Sequence, residues 1–90
     1  MPGEQERPIL MFSTTWCPDC RRAKRVLEAL GVPYQEINIE RDAAAAARVS
    51  RINDGMLSVP TILFPDGTVL VEPSNAELET KIAASAGTLG

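Results

Sequence analysis

Thr14-Thr15-Trp16-Cys17-Pro18-Asp19-Cys20 decides how this chain is read, with the basic run Arg21-Arg22-Ala23-Lys24-Arg25 behind it. The stretch holds both cysteines of the 90-residue sequence. Two residues separate them, so their sulfurs can close a short disulfide. Pro18 suits a first helical turn, where its missing N–H has no partner to lose. Cys17 therefore falls at a helix start, where free backbone N–H groups and the helix dipole favour a thiolate. Cys20 falls one turn further in and is expected to be less exposed. The chemistry this spacing predicts is thiol–disulfide exchange, with Cys17 as nucleophile and Cys20 as resolving thiol. The competing reading is that of free cysteines serving as small buried hydrophobes.

Outward from this stretch, the chain alternates between two periods. Ile9-Leu10-Met11-Phe12 is a continuous apolar run, as in a strand covered on both faces. Ser13-Thr14-Thr15-Trp16 is the loop between that strand and the helix. Ala23, Val26, Leu27 and Leu30 form the helix's inward stripe, and Gly31 with Pro33 stops it. Tyr34-Gln35-Glu36-Ile37-Asn38-Ile39 places Ile37 and Ile39 on alternate positions, as a half-exposed strand does. Strand, helix and strand of this length make a βαβ unit with parallel strands and a right-handed crossover.

After Glu40-Arg41-Asp42, residues 43–47 are five alanines, and Ala45, Val49 and Ile52 give a second helix its apolar stripe. Asn53-Asp54-Gly55 ends it. Met56-Leu57-Ser58-Val59-Pro60-Thr61 leads to Ile62-Leu63-Phe64 and Val69-Leu70-Val71. These two runs are joined by Pro65-Asp66-Gly67-Thr68, a hairpin signal. Pro73 breaks the strand, and Ser74-Asn75-Ala76-Glu77 is a capping box. Leu78 and Ile82 face the core from the last helix. The expected order is β-α-β-α-β-β-α, an α/β domain whose four-stranded mixed sheet carries helices on both faces. The chain reads as one domain, with residues 1–8 and 86–90 as loose tails.

Composition narrows the function. The net charge of −3 gives no electrostatic footprint for nucleic acid. No apolar run is long enough to span a bilayer. The polar start lacks a signal segment, which predicts no export and a cytoplasmic setting where thiols stay reduced. Without histidine, Cys-His proteases and His-containing zinc sites are removed. A four-ligand structural zinc would need cysteines from two chains.

The element order, Trp16-Cys17-x-x-Cys20 after the first strand and Val59-Pro60 before the third together resemble the glutaredoxins of the thioredoxin fold. The resemblance runs from about residue 9 to about residue 84. Ser13-Thr14-Thr15-Trp16-Cys17, Arg21-Arg22, Ile39-Glu40-Arg41-Asp42, Ser58-Val59-Pro60-Thr61, Asp66-Gly67 and Glu72-Pro73-Ser74 are most like the mycoredoxin branch. It implies reduction of protein or small-thiol mixed disulfides, with mycothiol rather than glutathione as co-substrate. It implies an NADPH-dependent reductase that regenerates the small thiol, no tightly bound cofactor or metal, and a monomer. Glu72-Pro73-Ser74-Asn75 stands where glutathione users carry a Gly-Gly-x-Asp type segment, and Asp19 stands where they often carry an aromatic. Trp16-Cys17-Pro18-Asp19-Cys20 by itself also resembles a thioredoxin-related protein. A thioredoxin-like reductase served by a thioredoxin reductase is therefore one alternative. An iron–sulfur-binding dimer is another, although Pro18 should hinder it.

Around the two thiols, Arg21 and Arg22 are expected to favour the Cys17 thiolate or hold an anionic substrate, while Asp19 opposes that charge. Trp16 either shields the site and meets partners or packs partly into the core. The base rate for X–Pro bonds makes Pro60 trans, whereas the resemblance implies cis. It implies that the Val59 backbone pairs with an extended substrate like an added strand. It also implies polar contacts to a small thiol from Thr15, Thr61, Ser74 and Asn75. Arg21, Arg22, Lys24 and Arg25 read as one basic cluster, a solvated face that can steer acidic partners.

Overall fold

The computed structural model describes residues 8–87. Its elements are β1 (Ile9–Ser13), α1 (Pro18–Ala29), β2 (Tyr34–Asn38), α2 (Ala43–Ile52), β3 (Thr61–Leu63), β4 (Val69–Val71) and α3 (Asn75–Gly87). This is the order expected from the sequence. The sheet order is β2-β1-β3-β4. β1 and β2 run parallel, while β1 with β3 and β3 with β4 are antiparallel. Of the expected tails, α3 carries the chain as helix to Gly87, whereas residues 1–7 and 88–90 lie outside the described residues.

β1 is apolar at successive positions because both its faces are covered. Ile9 and Met11 join Ala23, Val26 and Leu27 of α1, Ile62 and Phe64, and Leu78 and Ile82 of α3. Phe12 faces the other way, toward Ile39 and toward Ala45 and Val49 of α2, with Leu10, Ile37 and Leu63 packed alongside. Of the five alanines of α2, Ala45 is buried beside Phe12, while Ala43, Ala44 and Ala47 are exposed. Two apolar layers thus sandwich the sheet, with α1 and α3 on one face and α2 on the other.

α1 ends in a Schellman motif. Gly31 N–H bonds to Glu28 C=O and Val32 N–H to Leu27 C=O. Gly31 takes φ +67°, a conformation open to glycine at no side-chain cost. Leu30, expected in the core stripe, is the C-cap and is 45% exposed. The helix stops there, so Leu30 no longer follows the α1 stripe into the core. The β3–β4 hairpin closes through a turn in which Gly67 N–H reaches Phe64 C=O and Phe64 N–H reaches Thr68 C=O. Asp42 caps α2 by accepting from Ala45 N–H. Ser74 and Glu77 exchange their capping bonds at the start of α3, as the sequence predicts.

Candidate active site

Both thiols are free and lie where β1 gives way to α1. Cys17 is the N-cap of α1, extended at φ −108° and ψ 104°. Its Sγ accepts from the Cys20 N–H at 3.1 Å, so the sulfur takes the place an N-cap oxygen usually holds. On its other side Sγ–H donates to Val59 C=O at 3.8 Å. Pro18 occupies the first helical turn. Cys20 is buried on the first turn, 2% exposed, against 8% for Cys17. Burial pushes the Cys20 thiol up to about 12. Its hydrogen bond with Cys17 and the charges of Cys17 and Glu36 add to the effect, against a backbone hydrogen bond at Thr14 that lowers it.

The loop ahead of Cys17 is pinned to the end of β2. Thr15 N–H donates to Glu40 Oε1 at 2.8 Å, and Asn38 Nδ2 donates to Thr15 Oγ1 at 3.0 Å. Glu40 N–H in turn reaches Asn38 Oδ1 at 2.8 Å. Trp16 stands out from this loop, 80% exposed, so its core-packing reading is set aside. The wall opposite the thiols is the loop before β3, where Val59–Pro60 is a cis peptide bond, as the resemblance implies and the base rate does not. Glu72 N–H donates to Pro60 C=O at 2.8 Å, and Pro60 itself is buried.

Several expected contacts are directed elsewhere. Thr61 is fully buried on the α2 face. Its Oγ1 donates to Ser58 C=O at 2.7 Å and accepts from Asn53 Nδ2 at 3.1 Å, so it braces the Val59–Pro60 loop. Arg22 does not turn to the thiols. Its guanidinium donates to Asn75 Oδ1 at 2.6 Å and Pro73 C=O at 3.1 Å, and pairs with Asp19 at 3.6 Å. That chain of contacts ties α1 to the start of α3 and turns the Asp19 carboxylate toward Arg22. Ser74 and Asn75 are committed to capping and to Arg22. Arg22 leaves the basic run, because a residue one position from Arg21 and two from Lys24 faces another way, whereas Arg21 and Lys24 line one cavity. Arg22 looks to α3 and Lys24 to β2, while Arg21 and Arg25 are exposed.

Sequence reading passed over one group. Between α1 and β2 lies a cavity of about 270 Å³ lined by Ser13, Cys17, Cys20, Arg21, Lys24 and Glu36 among others. Ser13 Oγ donates to Glu36 Oε2 at 2.9 Å, and Lys24 Nζ is 3.1 Å from Glu36 Oε1. Burial pushes the Glu36 carboxyl up, but the hydrogen bonds from Lys24 and Ser13 and the lysine charge hold it below its ordinary value. The signal was present in the strand pattern. With Ile37 on the α2 face, Glu36 has to face α1. Among the described residues no group of three or more cysteine, aspartate or glutamate side chains gathers to hold a metal ion. No described helix is long and apolar enough to cross a membrane.

The comparisons agree with this geometry. A sequence model of the glutaredoxin family matches residues 9–70. The chain is 39% identical over 79 residues to a Mycobacterium tuberculosis protein provisionally named a glutaredoxin, covering 88% of this chain and 94% of that one. It is 37% identical over 78 residues to mycoredoxin 1 of Corynebacterium glutamicum, covering 87% and 96%. The solved glutaredoxin of Archaeoglobus fulgidus superposes with a TM-score of 0.72 at 24% identity, over 86% of this chain and 87% of that one. The fold, the paired thiols at a helix start and these relatives place the chain in the glutaredoxin family, and its chemistry is that of a thiol–disulfide oxidoreductase.

Proposed function

We propose that Cys17 is the nucleophile that takes up a mixed disulfide, and that mycothiol rather than glutathione is the small-thiol partner. The observation that carries the first part is the seat of Cys17 Sγ, between Cys20 N–H at 3.1 Å and Val59 C=O at 3.8 Å. A helix-start N–H aimed at the sulfur supports negative charge there. The Cys17 thiolate attacks one sulfur of R–S–S–R′, binds it as Cys17–S–S–R and expels R′–S⁻. Val59, next to the thiol, offers backbone groups for an extended segment of substrate.

Two observations support mycothiol. The likeness to mycoredoxin 1 extends over 87% of the chain. Glu72-Pro73-Ser74-Asn75 replaces the Gly-Gly-x-Asp type segment, and Arg22 with Asn75 is engaged within the protein. An NADPH-dependent reductase of the small thiol completes the cycle.

The test is turnover of mycothiol, bacillithiol and glutathione mixed disulfides by the full chain, each with its own reductase. Fastest turnover with mycothiol is expected. Cys17→Ser should fall to the uncatalysed rate, whereas Cys20→Ser should still reduce small-thiol mixed disulfides and lose activity on protein disulfides. Equal, slow rates with all three thiols beside rapid reduction by a thioredoxin reductase would overturn the small-thiol assignment.

A further inference from the structure

We infer that the cavity between α1 and β2 seats the body of the small thiol joined to Cys17, and that the body it takes is uncharged and rich in hydroxyl groups. The inference rests on the reading of Cys17 as nucleophile.

The two flanks of Cys17 differ in what they leave open. On the α3 flank the polar groups are spent within the fold. Arg22 is held by Asn75, Pro73 and Asp19, Ser74 and Glu77 cap each other, and Pro73 has no N–H to give. On the β2 flank lies the cavity of about 270 Å³, and Cys17 itself is part of its wall. That is less than the ~300–1,000 Å³ of pockets for drug-sized ligands, and it leaves room for a single substituted ring. A group carried on the Cys17 sulfur therefore finds its seat toward β2.

The chemistry of that seat follows from the register of the sheet. Ser13 pairs with Asn38 in the parallel ladder, and Glu36 is the next residue of β2 on the same face, so all three face α1. From the opposite wall α1 brings Arg21 and Lys24, neighbours on one side of the helix. The β2 wall is fixed before any ligand arrives. Ser13 holds Glu36 Oε2, Lys24 holds Oε1, and Asn38 is tied to Thr15 and to the Glu40 N–H. The side chains of Arg21 and Thr14 make no hydrogen bond or ion pair with any described residue, so their donors remain for a ligand. Glu36 only accepts, Arg21 and Lys24 only donate, and Thr14 does both. A ligand carboxylate drawn to Arg21 would share this small space with the Glu36 carboxylate. A ligand ammonium drawn to Glu36 would share it with Arg21 and Lys24. A hydroxyl donates and accepts at once, so neighbouring hydroxyls on one ring satisfy both walls and bring no charge.

The mixed disulfide itself is the probe. In a Cys20→Ser chain the Cys17 thiolate attacks the symmetrical disulfide of thioglucose. The reagent's S–S bond breaks, Cys17–S–S–glucosyl forms, and one thioglucose leaves as thiolate and takes up a proton. Cys17 is oxidised and the departing sulfur is reduced. The disulfide of mercaptoethanol gives the matching adduct without a ring. Amide NMR spectra of the two adducts should differ at Ser13, Thr14, Glu36 and Asn38. Differences gathered instead at Glu72, Ser74 and Asn75 would overturn the inference. The exchange equilibrium gives a second reading, because the ratio of the glucosyl to the hydroxyethyl constant cancels any change in Cys17 itself. Arg21→Gln and Glu36→Gln are each expected to lower that ratio about two- to tenfold, the worth of one hydrogen bond. A ratio unmoved in both variants would overturn the inference as well. Should Glu36→Gln not fold, the exposed Arg21→Gln decides. Measured against the same exchange on free N-acetylcysteine, the glucosyl adduct should be favoured. The adduct of mercaptopropionate, whose carboxylate stands in place of the ring, should not be, and the reverse order would overturn the choice of an uncharged body. Uptake of the glucosyl group by a Cys17→Ser chain would instead sink the underlying assignment of the nucleophile.

Discussion

Tyr34 reports on the cavity side of the molecule through a single proton. Its hydroxyl donates to Glu28 Oε2 at 2.9 Å. Burial first, then the bond to Glu28 and the charges of Glu28 and Glu36, push the phenol from 10.0 up to about 12. The sequence has one tyrosine, so an ultraviolet titration reads this group without overlap. Phenolate should appear at about 12 in the folded protein and about 10 after unfolding in denaturant. The raised value means that the neutral phenol stabilises the fold fully below pH 10. That contribution fades as pH rises through 12, and Tyr34→Phe should remove this limb of the stability profile. Phenolate appearing at 10 in the folded protein would show that neither the burial of the hydroxyl nor its bond to Glu28 holds in solution. At this scale the two cysteines were legible because their type and spacing carry the chemistry unaided. Arg22, Thr61 and Glu36 were not, because each is defined by a partner on another element. Arg22 lies 53 residues from Asn75, and Ser13 lies 23 from Glu36. A local pattern holds no record of such meetings.

The elements were legible for a different reason: their signals are local. Period-two and period-3.6 patterns, the Asp66-Gly67 turn and the Gly31 stop each depend on neighbours a few residues away. The exception is the end of a helix, where one residue decides inside from outside, and Leu30 fell on the wrong side of it. The start of α3 is the position where local signal and tertiary role coincide. Ser74 Oγ accepts from Glu77 N–H at 3.1 Å, and Glu77 Oε1 accepts from Ser74 N–H at 2.9 Å. One residue earlier, Pro73 C=O receives Arg22, so the cap also sets where α1 meets α3. Ser74→Ala leaves the Glu77 N–H without its side-chain acceptor. It should cost about 1 kcal/mol in urea unfolding. An unchanged urea midpoint would mean that water replaces the hydroxyl and that the box contributes little here.

At the scale of the whole molecule, β1 couples two layers that share no helix. Ile9 and Met11 belong to the layer under α1 and α3, and Phe12 to the layer under α2. The thiols sit where β1 ends, so the geometry around Cys17 depends on both layers. α1 carries one thiol at its cap and the other on its first turn, and it is held down chiefly by Ala23, Val26 and Leu27. Leu27 is fully buried at the centre of that stripe. Leu27→Ala removes a fully buried side chain packed among the core residues of β1, β3 and α3. The expected loss is about 2–5 kcal/mol. Against a total of about 5–15 kcal/mol for a small protein, that is a large share of the stability. At roughly 4–8 °C per kcal/mol for a chain of this size, Tm should fall by at least about 8 °C. Because β1 belongs to both layers, melting followed by circular dichroism should remain one cooperative transition in the variant. Two separated transitions would mean that the α2 layer survives alone, and that β1 does not bind the two faces into one folding unit.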